Sequence, residues 1–78
     1  MEIINIIEEI GEYNRRLISF PIERGFVKQD IVNIAENMFW KLAVENGAED
    51  TEENRDCSLD DGVWDDKQGC KLFLIWSE

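Results

Sequence analysis

The sequence contains no histidine, and it has only one proline, one tyrosine and two cysteines among its 78 residues. Histidine is the commonest general base and metal ligand near neutral pH, so its absence excludes catalytic triads and metal sites that depend on an imidazole. Basic residues are also scarce, since 8 Lys and Arg face 18 Asp and Glu, and the net charge is −10. Direct binding to nucleic-acid phosphates or to anionic membranes relies on clustered Lys and Arg and is therefore not expected.

Long hydrophobic runs are missing as well. No apolar stretch approaches the roughly 20 residues of a membrane span. The first residues, Met1 to Ile4, lack the basic region that precedes the apolar core of a signal peptide. We therefore expect a soluble, cytoplasmic protein. With 44% hydrophobic residues, the chain can build the core of a single small domain over residues 1–78, and a homodimer would add buried area.

The two cysteines, Cys57 and Cys70, leave two interpretations open. In an oxidising compartment they could form a disulfide across the intervening 12 residues. In the cytoplasm, unpaired cysteines are most often buried thiols, which is the interpretation that we favour. Two cysteines without histidine also make a poor zinc site.

Residues 2–18 are interpreted as an amphipathic helix. One stripe at helical spacing consists of Ile3, Ile6, Ile7, Ile10, Leu17 and Ile18. Glu12 and Arg16 are four residues apart, the spacing of a stabilising ion pair on a helix. Pro21 ends the helix, because the residue before a proline disfavours the α conformation. A connector over residues 19–27 is expected to fold over the core as a lid through its apolar residues Phe20, Ile22 and Phe26.

Residues 28–46 give the clearest helical pattern. The predicted core stripe is Ile31, Ile34, Ala35, Met38, Phe39, Leu42 and Ala43. Trp40 lies on the opposite side of this helix and has two interpretations. It packs against the C-terminal strand or a loop, or it is an exposed aromatic anchor for a binding partner, since tryptophan is enriched at interface hot spots.

Residues 48–66 hold most of the negative charge. They carry nine acidic residues against Arg55, for a net charge of −8, which leaves −2 for the rest of the chain. Because residues 48–56 include no large apolar side chain, the stretch 48–62 is interpreted as a solvated acidic loop.

Residues 63–76 are interpreted as a β-hairpin. Residues 70–76 are a short apolar run, and the polar residues 65–69 supply the turn that joins this strand to Val63 and Trp64. The fold expected from the sequence is therefore α+β, with two amphipathic helices packed on a short C-terminal antiparallel β-hairpin.

Sequence motifs for chemistry are lacking. No serine lies in a G-x-S-x-G elbow, and the five glycines form no phosphate-binding loop. An EF-hand placed with Gly62 at its sixth position would need acidic ligands where Cys57 and Leu59 stand. We therefore expect a non-enzymatic protein without a cofactor or a metal site. Weak cation binding by a group of aspartates remains an alternative for Asp60, Asp61, Asp65 and Asp66.

In size, charge and lack of catalytic residues, the chain resembles small acidic proteins encoded by phages and mobile elements, such as anti-CRISPR proteins and the DNA mimics that block restriction enzymes. The resemblance involves no sequence motif. It implies a viral inhibitor that occupies a basic, nucleic-acid-binding surface of a host protein in the host cytoplasm. Two alternatives stay open: a structural or assembly module that forms an oligomer, and an antitoxin or immunity protein. The predicted partner-binding residues are Glu49, Asp50, Glu52, Glu53, Asp56, Asp60, Asp61, Asp65 and Asp66, with Trp64 and Trp40 as aromatic anchors.

Overall fold

The structure is a computed structural model that describes residues 2–77. The elements follow the order β1 (Glu2–Ile10), β2 (Asn14–Ile22), α1 (Lys28–Glu45), α2 (Glu52–Asp61), β3 (Val63–Asp65) and β4 (Cys70–Ser77). All neighbouring strands are antiparallel, and they form one sheet in the order β2-β1-β4-β3. The protein is thus α+β with a four-stranded sheet. The predicted arrangement, two helices on a short C-terminal hairpin, is wrong because the first predicted helix is a β-hairpin.

The hairpin β1–β2 replaces the helix predicted over residues 2–18. Isoleucines at spacings of one, three and four residues fit a helical stripe, but they also fit a strand that is apolar on both faces. β-branched side chains favour the strand. Gly11 adopts a left-handed conformation at φ 66° and donates its N–H to Gly69 O over 2.8 Å. Arg16 forms an ion pair with Glu8 across the strands at 3.1 Å, so the predicted Glu12–Arg16 pair is also wrong.

The connector predicted over residues 19–27 is shorter than expected, since residues 19–22 belong to β2. Pro21 is tolerated there because β2 is an edge strand, where a missing N–H breaks no hydrogen bond to a further strand. Phe20 and Ile22 are half-buried, whereas Phe26 is 65% exposed. The predicted lid over the core is therefore not formed by Phe26.

The helix α1 lies close to its predicted bounds and covers one face of the sheet. Phe39 on α1, Ile6 on β1 and Leu72 on β4 are fully buried and form the centre of the core. Ile34, which the helical stripe placed in the core, is 56% exposed, and Trp40 is 6% exposed. Trp40 therefore belongs to the buried side of α1, where Ala48 and Leu59 pack against the same core cluster and Asp50 accepts the indole N–H of Trp40.

The helix α2 occupies most of the stretch that was predicted as an acidic loop. The Thr51 hydroxyl accepts the backbone N–H of Asn54 at 3.1 Å and caps the helix, and two acidic residues in the first turn suit the helix dipole. Gly62 ends the helix in the left-handed conformation. A residue with a side chain would fit poorly there, because its Cβ would lie 3.0 Å from the backbone oxygen of Leu74. No residue of α2 is fully buried, so the helix lacks the apolar stripe by which sequence patterns reveal helices.

The two faces of the sheet differ in what covers them. Ile4, Ile6 and Glu8 of β1 point toward the helices and are buried, while the alternate residues Ile3 and Ile7 point away and are half-buried. We call the second side the open face. Among residues 2–77, no helix has the length and apolar character needed to cross a membrane.

Candidate functional site

The helix α2 gathers part of the predicted acidic set into one surface. Its acidic residues are all exposed, and we refer to them as the acidic surface: Glu52, Glu53, Asp56, Asp60 and Asp61. The inward side of the helix is formed by Arg55, Ser58 and Leu59, which are half-buried. Arg55 donates a hydrogen bond to Asn37 Oδ1 on α1 at 2.7 Å. The one basic side chain of α2 is therefore directed toward the body of the protein, and the outer side carries carboxylates.

The linear charge density of α2 is close to that of a nucleic-acid strand. Five acidic residues and Arg55 give a net charge of −4 over the 10 residues of the helix. At a rise of about 1.5 Å per residue, the helix is about 15 Å long, which is one net negative charge per about 3.8 Å. One strand of B-DNA carries a phosphate charge every 3.4 Å or so. The acidic surface therefore offers a basic, phosphate-binding channel an average charge density similar to that of one DNA strand.

The other four predicted acidic residues lie outside the acidic surface, and the carboxylates of three of them, Asp50, Asp65 and Asp66, accept hydrogen bonds. Asp50 Oδ1 accepts the indole N–H of Trp40 at 2.8 Å. Asp65 Oδ1 accepts the backbone N–H of Lys67 at 2.7 Å in the turn between β3 and β4. Glu49 precedes α2, and its backbone carbonyl accepts the side-chain amide of Asn54 at 3.2 Å. The structure thus separates an outward acidic surface from carboxylates that accept hydrogen bonds from neighbouring side-chain or backbone N–H groups.

Asp66 is the clearest example of a carboxylate that organises a turn. Its Oδ1 accepts the backbone N–H of Cys70 at 2.9 Å and that of Gln68 at 2.7 Å. These hydrogen bonds, chiefly the one from Cys70, lower the pKa of the Asp66 carboxyl below its ordinary value of 3.8 because they favour the charged form. The turn that begins β4 is therefore stabilised by ionised Asp66.

The variant Asp66→Asn should lose the pH-dependent part of this stabilisation. The folded-state pKa lies below the unfolded value of 3.8, so the contribution is present above that value and is lost as pH falls through the lower, folded-state pKa. In urea unfolding, the wild type should exceed the variant in stability at about pH 6 and lose that advantage progressively as the pH is lowered below 3.8. An advantage that is unchanged over this range would show that Asp66 charge does not stabilise the turn.

Of the two interpretations of Trp40, packing and an exposed anchor, the structure shows packing. Trp40 packs in the core, and Trp64 is half-buried against the same core. Trp76 is 52% exposed, and Lys28 Nζ lies 5.0 Å from the centre of its ring. The alternation along β4 already puts Trp76 on the same side as Leu72 and Leu74. Only the fold shows that it lies beside a groove.

This groove lies between α1, α2 and the helix-facing side of the sheet, with a volume of about 340 Å³. Its apolar lining includes Ile4, Leu74 and Trp76. Its acidic lining consists of Glu36, Asp60 and Asp61. Lysine and arginine combine an apolar stem with a charged end, so a basic side chain of a partner fits such a lining. The groove shares Asp60 and Asp61 with the acidic surface.

The cysteines are both free. Cys57 is exposed on α2, and Cys70 is buried at the start of β4. Burial, followed by the charges of Asp66 and Glu8, raises the pKa of the Cys70 thiol, so it is a protonated thiol at neutral pH. Within residues 2–77, no group of three or more Cys, Asp or Glu side chains is arranged to hold a metal ion.

Comparison of the sequence and the fold with known proteins finds no matching family, no matching curated protein and no matching solved structure. The features of this chain that bear on its function are therefore the geometry and charge of the acidic surface and its groove.

Proposed function

We propose that the protein is a non-enzymatic inhibitor that occupies a basic, nucleic-acid-binding surface of a host protein in the cytoplasm, in the manner of an anti-CRISPR or anti-restriction protein. The observation that supports this most is the charge density of α2, about one net negative charge per 3.8 Å against one per 3.4 Å in a DNA strand. Because the helix is already folded, these charges bind a partner with less loss of conformational entropy than a flexible acidic loop would suffer.

The groove beside α2 supplies a second element of recognition. Charges spread over a surface steer a partner and set specificity, but tight binding needs a desolvated anchor as well. A Lys or Arg from the partner can place its stem against Leu74 and Trp76 and its charged end at Asp60 or Asp61. The partner that fits this site therefore has a basic side chain that projects from a positively charged, nucleic-acid-binding channel.

Inhibition of nucleic-acid enzymes tests the proposal directly. Purified protein is added to cleavage assays with a panel of restriction endonucleases and CRISPR effector nucleases. We expect inhibition of at least one enzyme, with a half-inhibitory concentration that rises at least about tenfold between about 50 and about 200 mM salt. Excess DNA without a cleavage site should compete. Absence of inhibition across the panel, or inhibition that is insensitive to salt and to competing DNA, would contradict mimicry.

A structural or assembly module is the second candidate function, and a different observation favours it. The open face of the sheet exposes apolar side chains, among them Leu17 at 61% and Ile75 at 42%. Exposed apolar sheet surface is a common feature of interaction sites. The antitoxin or immunity alternative uses the same acidic surface toward a basic toxin and differs from the first proposal only in the partner.

A further inference from the structure

The open face is organised in rows that run across the strands. The register aligns four apolar residues, one from each strand, in the order Leu17, Ile7, Phe73 and Val63. The neighbouring row aligns four charged residues in the order Arg15, Glu9, Lys71 and Asp65. The apolar row thus lies beside a row whose charges alternate in sign from one edge of the sheet to the other.

The open face is electrically neutral in a strongly acidic protein. Its two acidic residues, Glu9 and Asp65, are balanced by Arg15 and Lys71, so all of the net charge of −10 lies elsewhere. A second acidic copy is repelled by the acidic surface on α2, but it meets no net repulsion at the open face. Charge therefore selects this face for self-association.

We propose that two copies pack through their open faces, around a two-fold axis parallel to the strands. This symmetry reverses the strand order of the facing sheet, so β2 faces β3 of the second copy and β1 faces β4. Arg15 then faces Asp65 of the second copy, and Glu9 faces Lys71, so every charge in the row meets its opposite. In the apolar row, Leu17 faces Val63 and Ile7 faces Phe73.

The size of the face sets the strength of this dimer. Three strands of eight or nine residues and the three-residue β3, spaced about 4.8 Å apart with about 3.4 Å per residue, give a face of roughly 470 Å² per copy. Two faces bury roughly 940 Å², which is just below the roughly 1,000 Å² of a stable specific interface and fits a weak, reversible one. Two sheets that pack face to face keep their strands within about 30° of each other, as this axis requires. We therefore expect dissociation in the micromolar range.

Sedimentation equilibrium over about 1 to 500 µM protein tests the proposal, because this range brackets a micromolar dissociation constant. We expect a monomer–dimer equilibrium in the wild type. Arg15→Asp should weaken the dimer at least about tenfold, because it places two acidic residues opposite each other. The exchange Arg15→Asp with Asp65→Arg should restore it, and Asp65→Ala alone measures how much of any change comes from the lost bond to Lys67. These two positions lie on opposite edges of the sheet, so the restoration cannot arise within one chain.

Leu17→Glu and Ile34→Glu form a matched pair, since both positions are about equally exposed and only Leu17 lies on the open face. Leu17→Glu should abolish the dimer and Ile34→Glu should leave it unchanged, with circular dichroism confirming that both variants are folded. A wild type that stays monomeric at the highest concentration overturns the proposal. So does a dimer that survives Leu17→Glu, or one that the charge exchange does not restore.

Discussion

Replacing Glu53, Asp56 and Asp60 with lysine should abolish inhibition of a basic target. These three residues lie on the outward side of α2, because they are spaced at three and four residues and are opposite the half-buried Arg55 and Leu59. A close charge pair at a protein interface contributes about 1.5 kcal/mol or more. Loss of three such pairs corresponds to at least about a 1,000-fold rise in the dissociation constant. Titration of the inhibited enzyme with the variant, at fixed salt, measures this change.

A control variant separates local recognition from overall charge. Reversing Glu12, Glu23 and Glu45 to lysine changes the net charge from −10 to −4, as the α2 variant does, at exposed positions outside the acidic surface. This control should keep most of the inhibition, with a modest loss from weaker long-range attraction. Equal loss in both variants would mean that net charge alone drives binding, and full inhibition by the α2 variant would exclude the acidic surface as the contact.

The variant Phe39→Ala should lose most of the stability of the fold. Phe39 is fully buried between α1 and the sheet, where it packs with Ile6 and Leu72. Truncation of such a side chain costs about 3–5 kcal/mol, since the transfer free energy is lost and a cavity remains. The free energy of unfolding of a native protein is only about 5–15 kcal/mol in total. Urea unfolding followed by tryptophan fluorescence should show a much lower midpoint or no folded baseline.

Ile34→Ala on the same helix is the matched control for this prediction. The sequence pattern placed Ile34 in the core stripe, but the structure leaves it more than half exposed. Its truncation should therefore change the free energy of unfolding by less than about 1 kcal/mol. If Ile34→Ala cost as much as Phe39→Ala, the orientation of α1 on the sheet would be wrong.

The difference between the two helices shows what sequence patterns can locate. An apolar stripe that repeats at helical spacing predicts a helix over residues 28–46, which agrees with α1 to within one residue at each end. The helix α2 was interpreted as a loop because its sequence is nearly all polar. It forms because Thr51 caps its start, Gly62 ends it and Leu59 packs against the core. The sequence contains the capping residues Thr51 and Gly62, but capping residues without an apolar stripe do not suffice to predict a helix.

The N-terminal half shows the opposite limit. The isoleucines of residues 3–10 fit a helix and a two-faced strand equally well, and a local pattern cannot choose between them. The choice depends on β4, which is 60 residues further along the chain and pairs with β1 over most of its length. The open face, with its apolar and charged rows, exists only because this pairing forms.

The net charge of −10, its concentration in residues 48–66 and the absence of histidine all follow from the amino-acid sequence. These properties belong to the residues and do not depend on the fold. The folding of the chain, in contrast, separates the carboxylates into two groups, since α2 displays five of them while Asp50, Asp65 and Asp66 bond to neighbouring groups. It also buried Trp40 and exposed Trp76, because burial depends on what packs against a side chain and not on its hydrophobicity.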